Sequence, residues 1–326
     1  NVLLTSHIKH YAYEKSWNVN LSVDYNNFKS SSVNDSTKFD ISSNNTIIEA
    51  HPQLMTGGEM WDFKIGLGIF MEMENNVDFN FYPSAELKVN LIENILIPYL
   101  GIHGGVQRNS MDAMVTENPF LDTYLDLNNT RFYRGYAGLR GSLSSKVSFN
   151  ASIGVGSWAD AVLFVKDPFS LNQRKFMPVY EDMEVLDMKF DLMYQVQEKL
   201  KLALLGEYFS YKTLNELEAW HKPPYRVTTS LWYDLRDKIV TNLDVFVIGS
   251  QMARNYIPTS TAQDDFNIES VELQGTIDVN VGLEYRYTKK LSLFLDFNNI
   301  ASIQYEKWKD YPVRSFNILG GLKITF

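Results

Sequence analysis

The sequence predicts one all-β domain, a transmembrane antiparallel up-and-down β-barrel, and three observations carry that prediction. Apolar and polar residues alternate with period two over long runs. The connections between those runs alternate short and long. No stretch reaches the ~18 apolar residues that a membrane helix needs. Composition agrees: 20 Phe, 19 Tyr and 6 Trp make the 326 residues 14% aromatic, yet mean hydropathy is only −0.22. A membrane barrel hides its apolar surface in this way, because outward and inward residues alternate and average out.

The strands follow in chain order. The first covers residues 3–13. Trp17, Val19, Leu21, Val23 and Tyr25 then form an apolar row opposite Asn18, Asn20, Ser22, Asp24 and Asn26. Trp61, Phe63, Ile65, Leu67, Ile69 and Met71 form another row. Val147, Phe149, Ala151, Ile153 and Val155 oppose Ser148, Asn150 and Ser152, and Tyr225, Val227, Leu231 and Tyr233 oppose Arg226, Thr228, Ser230 and Asp234. The cleanest run spans 271–288, with Leu273, Ile277, Val279, Val281, Leu283 and Tyr285 on one face. The last row is Phe316, Ile318, Leu322, Ile324 and Phe326. Successive strand side chains point to opposite faces, so each run has one apolar and one polar side. A soluble sandwich or propeller alternates too, but its strands are typically about 5–6 residues. Runs of 12 or more suit a tilted membrane strand, which needs roughly 9–11.

Tight turns are expected near 14–16, 57–59, 93–94, 144–146, 197–199, 236–238 and 288–290. Longer connections are expected at 30–43, 73–77, 109–129, 167–177, 212–222, 252–269 and 304–312. Seven of each kind give fifteen strands. Short periplasmic turns alternating with long extracellular loops are the signature of outer-membrane barrels. The last strand ends on the short-turn side, so the first visible one starts on the loop side. Bacterial barrels usually have even strand numbers, so at least one upstream strand is expected, in a complete barrel of about 16–22. Residues 1–326 read as a single barrel domain. Trp17, Trp61 and Tyr287 beside short turns, and Trp158, Trp220 and Trp308 near long loops, are expected at the two membrane interfaces.

Charges on the lipid face are costly. Arg226, Asp234, Glu272, Asp278, Glu284 and Arg286 are therefore expected to face the lumen, as are Glu86, Lys88, Lys189 and Asp191. Their mixed signs point to ion-pair ladders or contact with a plug. Zero cysteines exclude disulfides, thiolate metal sites and cysteine nucleophiles. His7 and His10 lie three apart on a strand and point to opposite faces, a poor chelate; His103 reads as an inward polar residue. The acids Glu181, Asp182, Glu184 and Asp187, placed in a loop, lack the spacing of a calcium loop. No G-x-S-x-G motif occurs. No catalytic residue, metal site or cofactor is expected, and the chain is not read as an enzyme. A net charge of −9 argues against a nucleic-acid partner.

The segment 296–326 carries Asn298, Asn299, Ile300, Tyr305, Tyr311, Pro312, Arg314, Gly320, Gly321 and a closing Phe326. This order resembles the C-terminal end of TonB-dependent receptors. Leu322, Ile324 and Phe326 also resemble the signal read by the barrel-assembly machinery. A looser likeness at 99–109 and 117–120 is to shorter TonB-receptor-like barrels. The resemblance implies the C-terminal barrel portion of a TonB-dependent receptor-like transporter in a Gram-negative outer membrane. Its implied partners are outer-membrane lipid, TonB through an upstream N-terminal region, and a surface lipoprotein or other outer-membrane subunits. The alternatives are a non-transporting barrel subunit or scaffold, and a passive porin.

Overall fold

The computed structural model describes the chain apart from residues 1, 13–14, 35–36, 74–75, 93–94, 123–126, 171–172, 259–265 and 326, with residues 30–43 described by backbone alone. In order the elements are β1 (Val2–Ala12), β2 (Lys15–Asn34), β3 (Thr37–Gly57), β4 (Trp61–Met73), β5 (Val77–Val89), β6 (Ile97–Gln107), helix α1 (Met111–Glu117), β7 (Thr130–Ser144), β8 (Val147–Lys166) and β9 (Phe176–Gln197). There follow β10 (Leu200–Thr213), β11 (Tyr225–Leu235), β12 (Ile239–Ile248), β13 (Gln251–Pro258), β14 (Phe266–Leu273), β15 (Thr276–Arg286), β16 (Leu291–Asn298), β17 (Glu306–Trp308), β18 (Tyr311–Pro312) and β19 (Asn317–Ile324). Strands β13 with β14, and β17 with β18, form two small separate hairpins. The other fifteen make one sheet in which each strand pairs with its neighbour in the chain. Every pairing is antiparallel. This is the up-and-down order of a barrel wall, with the fifteen strands that the loop alternation predicts. Among the described residues β1 pairs only with β2, and β19 only with β16.

Register fixes which residues share a face, because a one-residue slip would exchange the two sides. Ile153 lies between Ala137 and Met188, and Val281 between Leu243 and Phe297. Both rows are apolar. Large apolar side chains on this face stay exposed, among them Leu67, Ile153, Phe190, Leu283 and Leu295. A soluble protein rarely leaves so large a continuous apolar surface uncovered. Tyr25, Phe79, Phe81, Tyr133, Tyr208 and Tyr225 stand exposed toward the loop ends, and Trp17, Trp61, Tyr194, Tyr233 and Tyr285 toward the short turns. Trp17 to Tyr25 and Tyr225 to Tyr233 each span eight residues, roughly 26 Å along a strand. That is the scale of the ~25 Å apolar band flanked by aromatic girdles in outer-membrane barrels. At the C-terminal end, Leu322 and Ile324 are exposed on the same apolar face; Phe326 lies outside the described residues.

Four sequence expectations change. The 30–43 segment continues the β2–β3 ladder, with Ser30 opposite Ile41 and Asn34 opposite Thr37. The run 271–288 is two elements: Leu273 ends the β13–β14 hairpin and Thr276 starts a wall strand. Gly275 lies between them, where a Cβ would stand 2.7 Å from the Ile248 carbonyl oxygen, so the chain can pass there only as glycine. Residues 181–187, read as loop, belong to β9. Trp220 and Trp308 are buried at 0% and 5% exposure rather than set at an interface, and Trp158 lies on the polar face.

A barrel wall of this kind turns its apolar face to lipid, so Ile153→Arg in the middle of β8 is expected to cost about 2–4 kcal/mol in a bilayer. Ser148→Arg, on the polar face of the same strand, is expected to stay within about 0.5 kcal/mol. Urea unfolding of the refolded protein in lipid vesicles measures both.

Candidate functional site

The polar face carries a ladder of paired charges. Glu86 meets Lys64 at 3.2 Å and Lys88 at 2.6 Å, and accepts a hydrogen bond from Tyr136 at 3.0 Å. Arg134 grips Asp187 with two nitrogens, at 2.8 and 2.6 Å, the fork geometry that favours arginine over lysine. Lys189 pairs with Glu207 at 3.4 Å. Arg286 bridges Asp234 at 3.4 Å and Glu284 at 3.5 Å. Between these pairs, rings lie flat over glycines. A Cβ on Gly138 would meet the Tyr99 ring at 2.5 Å, and one on Gly101 the Tyr136 hydroxyl at 2.6 Å. The rings then run in contact toward the loops: Tyr99 to Tyr136, Tyr136 to His103, His103 to Phe132, and Phe132 to Trp158.

Above this wall the loop ends fold on one another. Helix α1 is started by the Ser110 side chain, which accepts from the Ala113 N–H at 3.3 Å, and it ends at Asn118, whose N–H reaches the Met114 carbonyl. Met114 packs with Leu121, Leu127, Phe164, Phe176 and Trp308 in one buried cluster. Ala161, Leu163, Val165, Met183, Val185 and Trp220 form a second. The upper half of β8 therefore has a hydrophobic cover on both faces, and its apolar run 161–165 reads accordingly, without alternation. Two buried polar side chains tie the loops together. Glu181 accepts from the backbone N–H groups of Leu214, Asn215 and Glu216, which accounts for a carboxylate at 1% exposure. His221 bonds through Nδ1 with the Phe164 carbonyl at 2.9 Å, while Nε2 accepts from the Lys309 N–H at 3.4 Å. Burial pushes His221 down from its ordinary 6.5 to about 4.

Between cap and wall lies a cavity of 360 Å³. Glu207, Phe209 and Tyr211 of β10, Arg226 of β11, and Tyr305, Lys307 and Trp308 line it. Phe209 and Tyr211 stack in parallel, 5.8 Å apart. Tyr305 lies 3.4 Å from the Asp278 carboxylate, and burial together with that carboxylate pushes the phenol up. This is the size and lining of a small-molecule site.

Of the residues marked from sequence, Asp234, Glu284 and Arg286 come together in one ion-pair group near the short turns. Arg226 and Asp278 rise to the cavity region, where Asp278 Oδ1 is buried without a partner among the described residues. Glu272 stands apart, on the β13–β14 hairpin opposite Met252. His7 faces Asn20 and His10 faces Trp17, on opposite sides of β1. The cap was invisible to alternation; its one sequence signal was the unbroken apolar run at 161–165.

No protein-family model matches the chain, and no curated protein matches its sequence. Solved structures do match in shape. The copper transporter OprC superposes with a TM-score of 0.69 at 12% identity, over 99% of this chain and 56% of that one. The pyoverdine outer-membrane receptor FpvA from Pseudomonas aeruginosa PAO1 gives 0.68 at 9% identity, over 99% and 52%. The FrpB iron transporter from Neisseria meningitidis gives 0.67 at 11% identity, over 99% and 55%. At such identities the likeness is one of fold, and this chain spans about half the length of those it matches.

Because the unfolded chain takes up the His221 proton before the folded one does, cap stability is expected to fall as pH drops from about 6.5 toward about 4. Tryptophan emission, reporting Trp220 and Trp308, should shift red over that interval, and His221→Leu should flatten the profile. An unchanged profile in the variant would assign the transition to other groups.

Proposed function

We propose, for a chain whose fold is that of a TonB-dependent receptor-like outer-membrane barrel, that it forms the C-terminal barrel portion of an energy-coupled transporter in a Gram-negative outer membrane. The observation that carries the reading is the extent of the match: 99% of the chain lies on about half the length of each receptor or transporter chain, in one fifteen-stranded wall. The polar face then lines the lumen, where mixed charges in closed pairs suit contact with a folded plug better than a free ion path. The loop cap and its cavity sit at the outer mouth, where a substrate arrives. In this reading TonB is a partner of the whole transporter. The solved structures that match in fold are named as receptors and transporters, and the chain is read as a carrier.

A second reading has a specific observation in its favour. The loops are packed into two buried clusters instead of standing open, as in a barrel that serves as a scaffold or subunit of an outer-membrane assembly.

Gene deletion in the source bacterium, compared with inactivation of tonB, separates the two. A transporter predicts that both strains lose growth on the same limiting nutrient, with restoration by the intact gene. Unimpaired growth on every nutrient, with outer-membrane subunits co-purifying, supports the scaffold instead. An open, unblocked conductance in planar bilayers supports a porin.

A further inference from the structure

The cavity under the cap is lined by charges of both signs, and two of its cations have no ion pair among the described residues. Six charged residues line it: Glu117, Glu207, Arg226, Lys222, Glu306 and Lys307. Each of the three carboxylates has a partner, and for Glu117 that partner is Lys222 of the same lining. Glu207 meets Lys189 at 3.4 Å, Glu117 meets Lys222 at 3.1 Å, and Glu306 accepts from the Asp310 N–H at 2.9 Å. Arg226 stands across the ladder from Glu207 and has no ion pair of its own among the described residues. Lys307 likewise has no carboxylate, and its ammonium lies 5.9 Å from the Trp308 ring.

Beside Arg226 the wall presents flat apolar surface. Phe209 and Tyr211 lie parallel, with 14° between their planes, on the same face of β10. Tyr305 and Trp308 line the cavity from the loop. A planar guanidinium recognises a carboxylate through two parallel N–H bonds, and aromatic rings accept either an aromatic ring or the apolar face of a sugar. The volume of 360 Å³ is at the low end of small-molecule sites.

We infer that this cavity binds a small organic acid that carries a ring, with Arg226 holding its carboxylate, Lys307 adding a second positive charge, and Phe209 and Tyr211 supporting the ring. The inference rests on the transporter reading for its biological use, and on the cavity alone for its chemistry.

The test is calorimetric titration of the protein purified from outer membranes in detergent. The probes are 4-hydroxybenzoate against its uncharged counterpart p-cresol, and glucuronate against glucose. One acid is expected to bind at least 10-fold more tightly than its neutral partner, and which acid does so tells an aromatic ligand from a sugar acid. Arg226→Met is expected to weaken that acid by about 10–100-fold, the range for a lost charge-assisted pair, and to leave the neutral compound unchanged. Arg226→Lys, which keeps the charge and the fold but not the fork, should fall between. Equal binding of acid and neutral partner, no binding of either acid, or an Arg226→Met variant with wild-type affinity would each overturn the inference. Acid binding in a protein whose deletion and tonB inactivation leave growth intact would keep the ligand class and remove transport; tonB-dependent growth without acid binding would do the reverse.

Discussion

Inside a hydrocarbon layer no water is available to pair with peptide N–H and C=O groups, and each one left open costs several kcal/mol. Between its two edge strands the fifteen-strand antiparallel ladder satisfies them strand by strand, and the remaining features of the wall follow from it. Long strands are required because the ladder must cross the whole apolar band. Alternation is required because each residue then has one neighbour in lipid and the next on the polar side. Connections can be short at one end and elaborate at the other, since both ends lie outside the hydrocarbon, where the backbone is free to leave the sheet.

The polar side is built by a different rule. Many of its charges pair within the wall, Lys64 and Lys88 on Glu86, Arg134 on Asp187, Arg286 on Asp234 and Glu284. Paired charges of both signs set no field along the wall; they fix side chains in place. The flat rings of Tyr99 and Tyr136 do the same where glycines leave the sheet bare. The outcome is a stiff, mostly neutral surface interrupted near the cap, where Arg226 is left open beside two stacked rings.

How much of this could be read from sequence depends on what covers each face. Where lipid lies on one side and polar surroundings on the other, the period-two signal is complete, and the rows through Ile65, Ile153, Leu231 and Val281 stand on the face that alternation assigns to them. Where both sides are covered the signal vanishes, as at Leu163, Phe164 and Val165, each at 1% exposure or less. Alternation also continued through Leu273 and Gly275 into β15, because it carries no information about a strand leaving the sheet. The cap was the least legible part. His221 reaches Phe164, and Lys166 pairs with Asp310, across 57 and 144 residues of sequence. Contacts so distant leave no local pattern. For the same reason Trp220 and Trp308 resembled interface residues although they are core.

A sheet with one face toward lipid and the other toward water can be tested directly in this chain, because it has no cysteine. Single cysteines placed in turn at residues 148–153 of β8, in isolated outer-membrane fragments open on both sides, are exposed to a membrane-impermeant maleimide. A period of two is expected: labelling at Ser148, Asn150 and Ser152, and protection at Phe149, Ala151 and Ile153. Uniform labelling along the strand, or protection with no alternation, would contradict it.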